Sequence, residues 1–557
     1  MSRAQIMKDY FKQNFFYDLK AGFITAVVAL PLALAFAIAS GVPPVMGLYT
    51  AVVAGILASL LGGSVFSITG PTGAMVVLIL STVSKFGLEG LLLAGFFAGV
   101  FQIIFGLMKV GKVVKYLPLP LISGFTAGIG AIIFIGQIGN FLGVSLEPKE
   151  HVWETLGQIF LHLPDLKAAA VVVTLGTVLL LVFLPKLLAK SRYTRNIPAS
   201  IVALVLFTVA AAVLALNVPI VGEIPQGLPS LSVPNFSWEL IKNILPASVT
   251  IALLGAIEAL LCAVVCDGMT STKHNSNREL VSQGVVNVIM PFFGGMAATA
   301  AIARSAVNIR EGAKTRYAGV FHGLFLMSTL LFLGPLAEEI PRAFLAGVLM
   351  VVSVKMIDIQ EFKTILRLSK LDAMVFLVTF GLTVVTDLVV AVQVGMVLAI
   401  LLLFIRLTEG IEISHMEQYP KTNQINQLIN NNPLLKEKVS VYTINGPFFF
   451  GAMNVFEHKL NEHLQIKKSV IILRMKYVPF IDSTGVVRLA SFIRKLEKQG
   501  STVLLSNLHE NVKKVLLKDR EFQALMKGEH KKQFRLFENT PEALEYVEKE
   551  LLTEEKK

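Results

Sequence analysis

Two short segments could place chemistry inside an otherwise inert sequence: Thr69-Gly70-Pro71-Thr72-Gly73 and Gly294-Gly295-Met296-Ala297-Ala298-Thr299. Both lie in charge-poor apolar surroundings. No Asp, Glu, Lys or Arg occurs between Lys20 and Lys85, nor between Glu279 and Arg304. Glycine and proline break the helical ladder, and backbone N–H groups freed at membrane depth must face protein or a wet cavity, because lipid cannot bond them. A helix that starts at mid-bilayer aims its open N–H groups and the positive end of its dipole at whatever sits there, which favours an anion. One broken helix in each half of a membrane chain predicts a substrate site, and two such ends facing each other make an anion cradle.

Two charged residues belong to the same chemistry. Arg304 ends a long charge-free stretch, and an unpaired cation in the membrane costs several kcal/mol, so it is expected to face the cavity. Snorkelling to the cytoplasmic edge, or pairing with a carboxylate, is the structural alternative. Glu258 lies roughly 18 Å along a helix from Pro246, near the midplane of a roughly 30 Å hydrocarbon core. Protonation relieves the cost of a carboxylate there, which makes Glu258 a candidate proton acceptor coupled to anion occupancy. The alternative is a fixed counter-ion to Arg304. Gly255, Ala259, Cys262 and Cys266 form a small-residue stripe beside it that allows close helix contact. The two cysteines, one turn apart, read as packing residues rather than a disulfide or metal site, and no cofactor is expected. With no His-Glu-x-x-His, no phosphate-binding loop and no paired membrane histidines, a membrane-bound enzyme or sensor is disfavoured.

The elements that position these residues must span a bilayer. Of 557 residues, 54% are hydrophobic and only 16% charged, far from the roughly 25% charged of soluble domains. Apolar stretches of suitable length give about 14 spans, the third over 70–84, the fourth over 90–108, the ninth over 280–293 and the tenth over 299–309. Lys and Arg concentrate after even-numbered spans (Lys109 and Lys112; Lys186 and Lys190; Lys273 and Arg278; Arg310, Lys314 and Arg316) and before the first. The positive-inside bias therefore predicts that both termini are cytoplasmic. The formal charge of +12 reads as topology, not nucleic-acid binding. The charged start running into an apolar stretch without a small-residue cleavage site reads as an uncleaved first span, and Ser2 leaves no acylation signal.

After Arg406 the texture changes to frequent charges and short apolar runs, as expected of a separate α/β domain. The expected organisation is a cytoplasmic segment 1–20, a membrane domain 21–408, a polar linker 409–437 and a cytoplasmic domain 438–557. Strands are predicted over 439–444, 469–475 and 502–505, and helices over 453–464, 483–499, 511–518 and 541–551. Asp482 and Ser483 stand at a helix start, where they read either as a plain cap or as a regulatory turn. Asp387, between the last two spans, reads as a helix cap.

These residues together resemble the SulP family of anion permeases, solute carrier family 26, whose C-terminal domain is the STAS domain. The resemblance covers nearly the whole chain. It rests on Ala29-Leu30-Pro31, Gly41-Val42-Pro43-Pro44-Val45-Met46-Gly47-Leu48-Tyr49, the Gly70-Pro71 break, Asp267-Gly268-Met269-Thr270 through Glu279-Leu280, and Ala303-Arg304-Ser305-Ala306-Val307-Asn308. It implies a polytopic α-helical membrane protein with 14 spans as a seven-plus-seven inverted repeat, core and gate domains, an elevator-like motion and a homodimer. It also implies an anion held between the third and tenth spans near an aromatic of the first: Phe36, Thr69, Gly70, Thr72, Ala298, Thr299 and Ala300 match those positions. Arg304 would supply positive potential beneath the anion. The chain departs from many members in having Leu32 where a glutamine often follows the proline. Sodium-coupled bicarbonate relatives have Asp, then Thr four residues later, where this chain has Glu258 and Cys262, which argues against a sodium site. The segment resembles bacterial members that move dicarboxylates with protons. The implied function is a secondary active transporter of sulfate, bicarbonate or a dicarboxylate in the bacterial cytoplasmic membrane. An anion channel or uncoupled exchanger on the same scaffold is the alternative.

Overall fold

A computed structural model describes residues 13–112, 118–144, 146, 152–190, 198–225, 227, 231, 237–386, 388–409, 412–415, 424–450, 456, 458, 469–526 and 533–551. The chain forms two compact units, 1–399 and 400–557. Among the described residues, seven helices are long and apolar enough to cross a membrane, and shorter apolar helices accompany them.

In the first unit, helix α1 (Phe15–Ala39) runs through Pro31 and turns at Ser40 into α2 (Pro44–Leu61), which starts with proline in its first turn. The chain then becomes extended. Strand β1 (Thr69–Gly70) precedes α3 (Gly73–Leu107), inside which Gly87 takes φ 68°, so the third and fourth expected spans are two helical stretches hinged at one left-handed glycine. Helix α4 (Leu119–Gly136) follows, and α5 (Trp238–Thr270) carries Glu258. Helix α6 (Ser276–Ile289) starts four residues before the expected span, because Asn275 caps it by accepting from Arg278 N. A 3₁₀ turn (Met290–Phe293) ends at left-handed Gly294. The chain is extended again through strand β2 (Thr299–Ala300), then forms α7 (Ile302–Arg310), only about 14 Å long at 1.5 Å per residue. Helices α8 (Tyr317–Phe332) and α9 (Arg342–Met356) follow.

The core of this unit lies where α3 packs against α5 and α6, and where α8 packs against α1 and α2. Backbones touch at Gly99 and Gly284. A Cβ on Gly99 would sit 2.6 Å from Gly284 O, and one on Gly284 would sit 2.6 Å from Gly99 O. No larger residue fits either place, which is how membrane helices gain packing energy without a hydrophobic drive.

The second unit is a five-stranded sheet in the order β3 (Glu412–His415), β4 (Val439–Asn445), β5 (Val470–Tyr477), β6 (Thr502–Ser506), β7 (Phe534–Phe537). β3 pairs antiparallel with β4, and the other pairs are parallel. The central strands are buried along almost their whole length, as a parallel sheet covered by helices requires. Residues 409–437, expected as a polar linker, instead supply edge strand β3 and helices Gln424–Asn431 and Pro433–Lys438. An edge strand tolerates exposed polar residues, so β3 carries no apolar signature. Asp387 and almost all of the expected helix 453–464 fall outside the described residues.

Candidate functional site

The two breaks meet. β1 and β2 form a two-stranded antiparallel ladder with Thr69 opposite Ala300 and Gly70 opposite Thr299, and Ala301 N extends it by donating to Ile68 O at 2.9 Å. The ladder satisfies backbone groups that would otherwise be orphaned in the membrane interior. From it α3 and α7 both begin. Neither end carries a side-chain cap: Ala301 at the head of α7 has no group to offer, and Thr72 at the head of α3 turns its hydroxyl elsewhere. Met75 N turns back to Thr72 O at 3.2 Å, which leaves the N–H groups of Gly73 and Ala74 at the head of α3, and those that begin α7, as the open ends.

A cavity of about 110 Å³ adjoins these ends. Ala74 from the first turn of α3, Ile302 from the first turn of α7 and Glu258 line it, and Leu121 and Phe125 of α4 face them. Thr72 Oγ1 donates to Glu258 Oε2 at 2.8 Å, so the carboxylate is bound to the residue that heads α3. Two open helix ends favour an anion here, while an ionised Glu258 opposes one; a proton on Glu258 removes the repulsion.

Arg304, 1% exposed, neither snorkels nor makes an ion pair among the described residues. Its Nη2 donates to Pro71 O, and Nη1 has no hydrogen-bond partner there. The guanidinium lies against Gly70, where a Cβ would sit 2.6 Å from Nη1. Only glycine allows the cation to stand directly behind the first break.

The transport-site residues expected from the sequence come together in this unit, and Asp482 and Ser483 belong to the second. Phe36 on α1 stands beside the head of α3, its Cε1 3.4 Å from where a Gly73 Cβ would be. Three expected site residues, however, are engaged in holding the breaks. Thr299 Oγ1 donates to Gly255 O at 2.8 Å, and Thr69 Oγ1 accepts from Gln283 Nε2 at 2.9 Å. Ala298 N donates to Asn287 Oδ1 at 2.8 Å, and Ala298 O accepts from Asn287 Nδ2 at 3.0 Å. The Thr299 hydroxyl and the Ala298 amide are thus spent on the frame, and the helix ends and the Thr69 O–H remain as donors. Cys262 directs its thiol to Ser305 Oγ at 3.2 Å and Ser67 Oγ at 3.8 Å.

Sequence reasoning missed the residues that hold the breaks. Asn287 also donates to Gln102 Oε1 at 2.9 Å, Met296 N donates to Thr50 Oγ1 at 2.9 Å, and Ser305 Oγ accepts from Ile68 N at 2.8 Å. Glu279 is buried and accepts from Gly63 N, Ser64 N and Gln283 Nε2 at 2.8, 2.9 and 3.0 Å. Glu279, Gln283 and Asn287 recur every four residues along one face of α6, a polar stripe that the sequence displayed. In the second unit, Asp482 heads helix Ser483–Lys498: Oδ1 accepts from Gly485 N at 2.7 Å and Oδ2 from Phe450 N at 3.1 Å. Its carboxylate serves as a cap, and Ser483 is exposed beside it.

Known proteins resemble this chain in sequence and in fold. The profile of the sulfate permease family matches residues 15–379, and that of the STAS domain matches 433–543. "Putative sulfate transporter YvdB" of Bacillus subtilis (strain 168) is 39% identical over 527 residues, covering 93% of this chain and 96% of its own. "Bicarbonate transporter BicA" of Picosynechococcus sp. is 35% identical over 474 residues, covering 82% of each. The structure of SLC26A9 superposes with a TM-score of 0.85 at 20% identity, over 98% of this chain and 92% of that one, and so shares the fold. The chain is a multi-pass membrane protein that belongs to the sulfate permease family, SulP or solute carrier family 26, and ends in a STAS domain.

Proposed function

We propose that the protein is a secondary active transporter of a small anion (sulfate, bicarbonate or a dicarboxylate), with proton movement coupled through Glu258. The observation that carries the proposal is the cavity between two uncapped helix ends that also holds a carboxylate. Anion and ionised Glu258 compete electrostatically for one low-dielectric space, so anion binding and proton binding favour each other, and by linkage each raises the other's affinity. Cys262 spends its thiol on Ser305 and Ser67 and offers no oxygen, which favours a proton over sodium. The β1–β2 ladder ties the heads of α3 and α7 together, so both travel as one body past α4 in an elevator-type exchange of access. The termini lie in the cytoplasm of a bacterial cell, the protein acts as a homodimer, and the STAS domain modulates the rate.

Purified protein in proteoliposomes tests this reading with radiolabelled sulfate, bicarbonate and succinate. An acid-outside gradient is expected to drive accumulation of one of them above equilibrium. Glu258→Gln should abolish the proton-driven part while leaving facilitated flux and binding of that anion. Flux that only dissipates a gradient in the wild type would establish a channel or an uncoupled exchanger instead. Acid-dependent accumulation that survives in Glu258→Gln removes Glu258 from the coupling, and accumulation driven only by sodium removes the proton.

A further inference from the structure

A second cavity, of about 270 Å³, opens in the same unit. Ile38 at the end of α1, Val76 and Val77 on α3, the C-terminal turns of α4 and Arg342 at the start of α9 enclose it, and Arg342 is the charged residue among the described residues that line it. Arg342 is fixed in place: its backbone N–H donates to Pro219 O at 2.8 Å and its Nε to Ile220 O at 2.9 Å. Those bonds leave its two Nη groups for other partners. Gln137 sits at the junction that ends α4, and Asn140 Nδ2 donates to its Oε1 at 3.1 Å, which leaves the Gln137 amide nitrogen as a second donor toward the recess.

A fixed guanidinium at a recess with apolar walls focuses potential and concentrates anions, and its planar fork bonds two oxygens of an oxyanion at once. The recess also reaches the transport path. Val76 stands less than one turn beyond Gly73, about 5 Å along α3, so the floor of the recess approaches the open helix ends. On the topology proposed above, the end of α1 and the start of α9 face outward.

We propose that this recess is an outer capture site for small inorganic oxyanions, where Arg342 and Gln137 hold the anion before it passes to the ends of α3 and α7. The capture site rests on the transport reading. Its contribution is to the encounter and to specificity for compact, multiply oxygenated anions, while the transfer step belongs to the inner cavity. A single fixed charge of this kind changes capture about three- to tenfold at low ionic strength, and the effect collapses as salt shortens the Debye length.

The test measures initial uptake of sulfate and bicarbonate by the full chain in proteoliposomes at low ionic strength. Arg342→Gln should raise KM about three- to tenfold with Vmax within about twofold, and Arg342→Lys, which keeps the charge and loses the fork, should recover only part of the loss. Asn140→Asp leaves the backbone bonds of Arg342 in place, sets a negative charge in the recess and should raise KM in the same direction. Both differences should shrink in about 0.5 M potassium gluconate. Wild-type transport with KM unchanged in both Arg342→Gln and Asn140→Asp overturns the capture site and leaves the transport reading standing, as does a fall in Vmax alone. Wild-type vesicles that move neither anion, nor succinate, overturn the transport reading and the capture site with it.

Discussion

The two breaks look alike in sequence and are held differently. The second is clamped by neutral groups: Asn287 grips both polar atoms of the Ala298 backbone, Thr50 holds Met296 and Thr299 is bonded to Gly255. The first is bonded to both charged residues of the site, Thr72 to Glu258 and the Pro71 carbonyl to Arg304, beside neutral contacts from Gln283 to Thr69 and from Ile68 to Ser305. On the transport reading proposed above, the second break provides a frame indifferent to pH and anion, and the first carries the response to charge. A symmetric cradle would bind an anion equally well; on that reading the asymmetry gives the cradle a side that senses protonation.

The largest expected effect comes from separating the first break from its cation. Gly70→Ala drives a methyl group into the space of Arg304 Nη1, the far end of a flexible side chain, which must swing aside and leave its place behind the break. Uptake should fall about tenfold, the equivalent of about 1.4 kcal/mol of lost anion stabilisation, while the detergent-solubilised protein keeps its elution volume and helical circular dichroism. Near-normal uptake in Gly70→Ala would show that the cation need not stand behind the break, and the asymmetry would lose its meaning.

A smaller effect is expected in the frame. Asn287→Ala orphans the N–H and carbonyl of Ala298, at about 2 kcal/mol for buried groups left without partners. Thermal unfolding should shift downward, and uptake should fall in proportion at every pH. A change confined to the pH profile would instead place charge sensing in the second break. The smallest effect belongs to Cys262→Ser. A hydroxyl is smaller than the thiol and keeps Ser305 as its nearest partner, while Ser67 at 3.8 Å lies beyond an O–H···O bond, so uptake should stay within about twofold and acquire no sodium dependence. Sodium-stimulated uptake in that variant would mean that one oxygen is enough to convert the coupling ion.

Much of this was legible beforehand for physical reasons. Gly70, Pro71 and Gly294 announce broken helices, and Glu258 and Arg304 stand out because charge is rare in that company. The direction of a hydroxyl is another matter. Thr69 and Thr299 are small polar residues at the right places, yet whether they face an anion or a neighbouring helix depends on Gln283 and Gly255, which arrive from elsewhere in the chain. The β1–β2 ladder was equally hidden, because a two-residue strand has no periodicity to detect. In the second unit, buried strands β4, β5 and β6 show as apolar runs, whereas β3, at the edge and mostly polar, is indistinguishable from a connecting stretch.

The ladder has a consequence for biosynthesis. Thr69 and Gly70 emerge from the ribosome long before Thr299 and Ala300 exist to pair with them. Until then the first half holds unpaired peptide groups where lipid cannot receive them, and it depends on the translocon or a chaperone for shelter. A nascent chain that stops short of residue 300 is accordingly a substrate for membrane quality control rather than a half-transporter awaiting its complement.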